Sequence, residues 1–113
     1  MVVAAGTSKM PLESSIVKSI MTALKKLGVD VEKTHGGQYG TAGRADIYCL
    51  IPEPGHWPIP LYLEVKQEKK HSTPLQLAWA AKKRKVGAIV EEVHSVEEAV
   101  FVVNSVLDGS YSN

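Results

Sequence analysis

Apolar and polar residues alternate most sharply in two short runs near the middle of the chain. In Leu61-Tyr62-Leu63-Glu64-Val65-Lys66 the apolar Leu61, Leu63 and Val65 alternate with Tyr62, Glu64 and Lys66, a period of two that predicts a strand with two different faces. Arg44 to Ile51 reads as its partner strand, and Pro54-Gly55 marks the turn between them. Folding the pair symmetrically about Gly55 sets Asp46 opposite Glu64 and Tyr48 opposite Tyr62, with opposed Cβ atoms about 5 Å apart. Two carboxylates and Lys66 then share one face.

Helical spacing brackets this hairpin. Pro11 suits a first helical position; Ile16, Ile20, Leu24 and Leu27 form the inward stripe, and Gly28 supplies the stop. Val29 to Thr34 alternates as a first strand. After the hairpin, Thr73-Pro74-Leu75-Gln76 has the form of a capping box and opens a second helix, with Leu77, Trp79, Ala80 and Ala81 as its packing surface. Val86 to Val90 reads as a short buried strand. A helix separates it from Lys66, so it is expected to lie parallel to the Glu64 strand through a right-handed crossover. Ser95-Val96-Glu97-Glu98 is a second capping box; Val96, Ala99, Val100, Val103 and Leu107 face inward, and Asp108-Gly109 ends the helix. The predicted fold class is α/β, in the order α-β-β-β-α-β-α, with a small mixed sheet flanked by helices. Without repeats or an internal linker, residues 11–109 are expected to form one domain, after a loose arm (1–10) and before a short tail (110–113).

Composition narrows the setting. With 44% apolar content in 113 residues, the chain can bury a modest core. Cys49 is the only cysteine, which excludes an intrachain disulfide and predicts a buried thiol in a reducing, cytoplasmic compartment. No apolar run reaches membrane-spanning length, and the first five residues lack the features of a signal peptide. A net charge of +1 does not itself announce a nucleic-acid binder. Its distribution says more: Lys66, Lys69, Lys70 and Lys82 to Lys85 crowd the middle, while Glu91, Glu92, Glu97, Glu98 and Asp108 follow. A basic region beside a carboxylate face suits a polyanion, and an exposed helix face accounts for the same charges.

Like charges side by side in a sheet repel, and desolvation worsens the repulsion. A divalent cation resolves the conflict at Asp46 and Glu64, since Mg²⁺ takes carboxylate oxygens together with water and phosphate. Lys66 points the same way, where its ammonium can orient water and stabilise charge growing on a phosphate oxygen. Two readings stand for Glu13: it prolongs the inward stripe of the first helix and so can approach the acids, or it complements the positive end of the helix dipole. His35, Gln38, Tyr39 and Arg44, in and after the glycine-rich connection 35–44, are candidate DNA or phosphate contacts, and Lys69 and Lys70 extend the set. That connection is neither a P-loop nor a dinucleotide fingerprint.

The ordered set Glu13-Ser14, Lys33 to Gly40, Gly43-Arg44-Ala45-Asp46, Leu63-Glu64-Val65-Lys66 and Thr73-Pro74-Leu75-Gln76 resembles the PD-(D/E)XK nuclease superfamily. More closely, it resembles the VRR-NUC (virus-type replication-repair nuclease) family, in particular its small stand-alone phage members. The likeness runs from Leu12 to about Val90, and Ala45 departs from it where the motif usually has proline. It implies that Asp46, Glu64 and the Val65 carbonyl bind Mg²⁺ or Mn²⁺, that Lys66 assists attack, and that Glu13 and Gln76 complete the site, with Glu13 also near the metal. The expected activity is metal-dependent endonucleolytic cleavage of DNA, favouring branched DNA such as a Holliday junction. A flap or linear-DNA nuclease is the alternative within that class, and a non-catalytic DNA-binding module the alternative outside it. A homodimer is expected, because two cuts need two sites and a two-fold axis supplies them. Trp57, Ile59 and the apolar residues of the last helix are candidates for its contact. The setting implied is a bacterial or phage-infected cell.

Overall fold

The computed structural model describes residues 12–34 and 42–112. The N-terminal arm lies outside the described residues, as do His35, Gln38 and Tyr39. The elements follow the expected order: α1 (Glu13–Lys26), β1 (Asp30–Lys33), β2 (Ile47–Ile51), β3 (Ile59–Val65), α2 (Pro74–Lys85), β4 (Ile89–Val93) and α3 (Val96–Leu107). They form three helices and a four-stranded mixed sheet of order β1-β2-β3-β4, a small α/β core among the described residues.

β1, β2 and β3 run antiparallel, and β4 joins β3 in parallel. Tyr48 pairs with Tyr62 and Ile47 with Leu63, so the hairpin folds symmetrically about Gly55, the register its sequence predicts. The side-chain period of two then divides the sheet into two faces. Ile47, Cys49, Ile51, Leu61, Leu63 and Val65 are fully buried in one cluster with Ile16, Ile20 and Leu24 of α1 and Ala99 and Val103 of α3. Full burial of an isoleucine or leucine contributes roughly 1.5–3 kcal/mol, so this face fixes the register. The opposite face carries Tyr62 and Val90, covered by Trp79 and Ala80 of α2 in a second cluster that includes Ala45.

Four details differ from the sequence expectations. The last strand begins at Ile89 and runs to Val93, because Val86 and Gly87 complete the end of α2: Val86 N–H and Ala88 N–H both donate to the Lys83 carbonyl, and Gly87 has φ +101°. In α3 it is Val106, not Leu107, that continues the buried stripe of Ala99 and Val103; both positions fit helical spacing, and Leu107 lies on the solvent side of the stripe. Leu77 of α2 is exposed, since only the Trp79–Ala80 edge of that helix meets the sheet. The second capping box is half made: Ser95 Oγ accepts from Glu98 N–H, but Glu98 Oε1 accepts from His94 N–H, one residue before the cap. No helix among the described residues is long and apolar enough to cross a membrane.

Candidate active site

Asp46 enters β2 from the glycine-rich connection and is held on three sides. Thr34, at the end of β1, donates its N–H to the Asp46 carbonyl at 2.9 Å and its hydroxyl to the Ala45 carbonyl. From β3, Val65 N–H donates to Asp46 Oδ2 at 2.7 Å. Gly43 sets the approach. It has φ +80°, and a Cβ there would lie 2.7 Å from the Leu75 carbonyl oxygen in the first turn of α2. Only glycine lets the strand pass so close to the helix. Ala45, 1% exposed, is the small residue that fits beneath Trp79 and Ala80.

Glu64 is the one buried charged side chain among the described residues. Burial pushes its carboxyl well above the usual carboxylate range, and the hydrogen-bonding contact and charge of Asp46 push it further; Lys66 opposes the shift and Glu13 adds a smaller upward push. Lys66 Nζ lies 3.9 Å from Glu64 Oε2, with both side chains nearly buried. Gln76 reaches the same oxygen: its Nε2 donates to Glu64 Oε2 at 3.2 Å while its Oε1 accepts from Thr73 N–H at 2.9 Å. One amide therefore caps α2 and holds the acid. Because that cap is reciprocal, with Gln76 N–H donating to Thr73 Oγ1, the orientation of Gln76 is set by the helix start.

The structure thus brings Asp46, Glu64, Val65, Lys66 and Gln76 together around one corner of the sheet. Glu13, half-buried at the head of α1, is close enough for its charge to act on Glu64. Arg44, Lys69 and Lys70 are exposed, and His35, Gln38 and Tyr39 fall outside the described residues. The basic run of α2 is partly committed to structure. Arg84 Nη2 donates to the Val90 carbonyl at 2.6 Å, and Lys83 Nζ stands 5.4 Å from the Trp79 ring centroid. Trp79 meets Tyr62 edge-on at 4.9 Å, and Tyr62 in turn packs against Tyr48 at 4.8 Å. A shallow groove of about 430 Å³ beside this row is lined by Leu75, Trp79, Lys82, Lys83 and Val86.

Sequence reasoning missed the neighbours of Glu64 on β4. Glu92 pairs with Glu64 across the parallel strands, and its Oε1 accepts from Ser72 N–H at 2.6 Å and Ser72 Oγ–H at 2.7 Å. Its Oε2 meets His71 Nδ1 at 2.8 Å and His94 Nε2 at 3.1 Å. Burial opposes ionisation of Glu92, but the hydrogen bonds from Ser72 and His71 outweigh it and lower its pKa to about 2. The only signal in the sequence was Glu92-x-His94, two residues that share a strand face once β4 extends to Val93.

No protein-family model and no curated protein match the chain. A solved structure described as a "VRR_NUC domain" is similar to it, with 26% identity and a TM-score of 0.66 over 81% of this chain and 94% of that one. The likeness supports a VRR-NUC domain assignment.

Proposed function

From a nuclease domain of the VRR-NUC type, we propose a metal-dependent, structure-specific endodeoxyribonuclease. The observation that carries this reading is the convergence of Asp46, Glu64, Lys66 and Gln76 on one corner of a sheet matched by the VRR-NUC likeness. The donor set fits Mg²⁺ or Mn²⁺: two carboxyls share a partly buried site in which burial and the charge of Asp46 oppose ionisation of Glu64, a hard oxygen environment that a dication relieves. Asp46, Glu64 and the Val65 carbonyl would hold the ion, with Glu13 adjoining. When bound, it supplies Lewis acidity toward the scissile phosphate.

The chain's own residues do the rest. Val65 N–H and Thr34 fix Asp46, and Gln76 fixes Glu64, so neither carboxylate must reorganise as substrate arrives. Lys66, beside Glu64, hydrogen-bonds a water in line with the phosphorus and stabilises charge growing on the phosphate oxygens. The water gives a proton to solvent as its oxygen forms the new P–O bond, the opposite ester P–O bond breaks, and the departing oxygen takes up a proton from solvent. Arg44, Lys69 and Lys70 hold the phosphate backbone of DNA, as do His35, Gln38 and Tyr39. A four-way junction is the substrate that the family resemblance implies, cut by a homodimer that presents two sites.

Incubation with matched linear, flap and four-way-junction DNAs, with Mg²⁺ and with a chelator, tests the reading. Cleavage of the junction only with Mg²⁺ is expected. Asp46→Asn should cut at least about 10³-fold more slowly, a loss of several kcal/mol of charge stabilisation, while still shifting DNA in a gel. Lys66→Ala should bind Mg²⁺ and turn over poorly. Full-rate cleavage by a folded Asp46→Asn protein would overturn the assignment; DNA binding without cutting by the unaltered protein would point to a binding module.

A further inference from the structure

We propose that His71, Glu92 and His94 form a second metal site, which takes a first-row transition dication of the Zn²⁺ kind in place of Mg²⁺. His71 Nδ1, a Glu92 oxygen and His94 Nε2 all lie within 4.8 Å of one another. Bonds of about 2.0–2.1 Å from zinc to nitrogen and oxygen place tetrahedral ligand atoms roughly 3.3 Å apart, so one ion satisfies all three after small side-chain adjustments. The Lys70 carbonyl oxygen, 2.9 Å from His94 Nε2, is at hand as a further donor.

The surroundings orient these groups. Ser72 occupies Glu92 Oε1 with two hydrogen bonds and leaves Oε2 toward the imidazoles. Glu98 Oε1 lies 3.2 Å from His94 Nδ1, the carboxylate–histidine pairing that keeps a proton on one ring nitrogen and turns the other lone pair toward a metal. Among the described residues, both hydrogen-bonding partners of Nε2 are oxygen acceptors: Glu92 Oε2 and the Lys70 carbonyl. A positive centre belongs between them, and a bound dication provides one where an imidazolium proton otherwise would. Two imidazole nitrogens and a single carboxylate favour zinc-like ions, whereas the oxygen-only corner at Asp46 and Glu64 favours Mg²⁺.

The loop that brings His71 to the cluster turns tightly: Lys70 N–H donates to the Gln67 carbonyl at 3.0 Å, and Lys69 takes φ +67°, a conformation costly for a residue with a Cβ. An ion held by His71, Glu92 and His94 would tie this loop to β4 directly ahead of Thr73, where α2 and Gln76 begin. The site would therefore brace the geometry of the acid corner without taking part in its chemistry.

Calorimetric titration of the metal-stripped full chain with Zn²⁺, in millimolar Mg²⁺, tests this. One Zn²⁺ per chain is expected, retained in Asp46→Asn and weakened at least about tenfold in His71→Ala and in His94→Ala. Because the His71 side chain is 75% exposed, His71→Ala should fold, which its circular dichroism and melting curve would verify. Co²⁺ in place of Zn²⁺ should give visible absorption that His71→Ala loses and Asp46→Asn keeps. Absence of Zn²⁺ binding under Mg²⁺, undiminished binding by both histidine variants, or loss of binding in Asp46→Asn alone would each overturn the proposal. The first two results would leave the nuclease reading untouched.

Discussion

Glu64 is held where a carboxylate is least comfortable: 6% exposed, beside Asp46, with Lys66 at 3.9 Å as partial compensation. Its raised pKa means that the folded chain favours the protonated acid, so the stability at stake is full at low pH and falls as pH rises past the carboxylate range of the unfolded chain. Glu64→Gln imitates the protonated form and keeps an oxygen for Gln76. In metal-free buffer at pH 7 this variant is expected to be more stable than the unaltered protein by roughly 1–3 kcal/mol, and to lose the rise in melting temperature that Mg²⁺ gives. Denaturant titrations with and without Mg²⁺ measure both effects, and a metal-free loss of stability would show that repulsion is not the dominant cost. Cys49 offers a second residue-level check. Burial raises its thiol pKa to about 12, so iodoacetamide at pH 8 should leave it unmodified in the native chain and alkylate it in denaturant. Because the unfolded thiol ionises first, its contribution to stability should persist below pH 9 and decline as pH climbs toward 12.

Among the elements, the turn at Gly43 and the start of α2 bear on the site together. Ala at position 43 would combine φ +80° with a contact of 2.7 Å to the Leu75 carbonyl oxygen, at an expected cost of about 2 kcal/mol or more. Gly43→Ala should therefore lower the melting temperature, and by separating Asp46 from α2 it should also lower the cleavage rate; Gly28→Ala, with open space around the position, provides a control for positive φ alone. What the sequence disclosed and what it withheld divide along the same line. The hairpin register was readable because one face of β3 is apolar at every second residue, and Gln76 was readable because a capping box fixes its offset from Thr73. The boundary of β4 was not, since Val86 and Gly87 look apolar enough for a strand yet belong to the end of α2. Leu107 misled for a related reason: at four residues past Val103 it fits helical spacing as well as Val106 does, yet 41% of its surface is exposed, and periodicity does not choose between two adjacent positions on one stripe. The His71–Glu92–His94 cluster depends on a parallel register between segments joined by a whole helix, which no local pattern reports.

At the scale of the molecule, the proposed dimer has candidate surfaces outside the acid corner. Trp57, 90% exposed in the β2–β3 loop, and Phe101, 73% exposed on α3, are large apolar side chains turned to solvent, whereas Ile59 packs against the core. Light scattering should give twice the chain mass, and Trp57→Ser or Phe101→Ser should shift the protein toward monomer with its fold retained. A monomer at every concentration that cuts linear duplex as readily as junctions would remove the dimer and leave the metal-nuclease reading in place. The sheet order β1-β2-β3-β4 has a further consequence. Each strand adds beside the one made before it, so none must be threaded between two already paired. The antiparallel β1–β3 meander pairs residues closer in the chain, from Ile51 with Ile59 to Asp30 with Leu50, than the β3–β4 pairing of Leu61 with Ile89, so β4 waits for the crossover through α2 and its larger loop-closure cost. In refolding, the meander should therefore gain amide protection before β4 does, and Glu92 and His94 should reach their places beside Glu64 last.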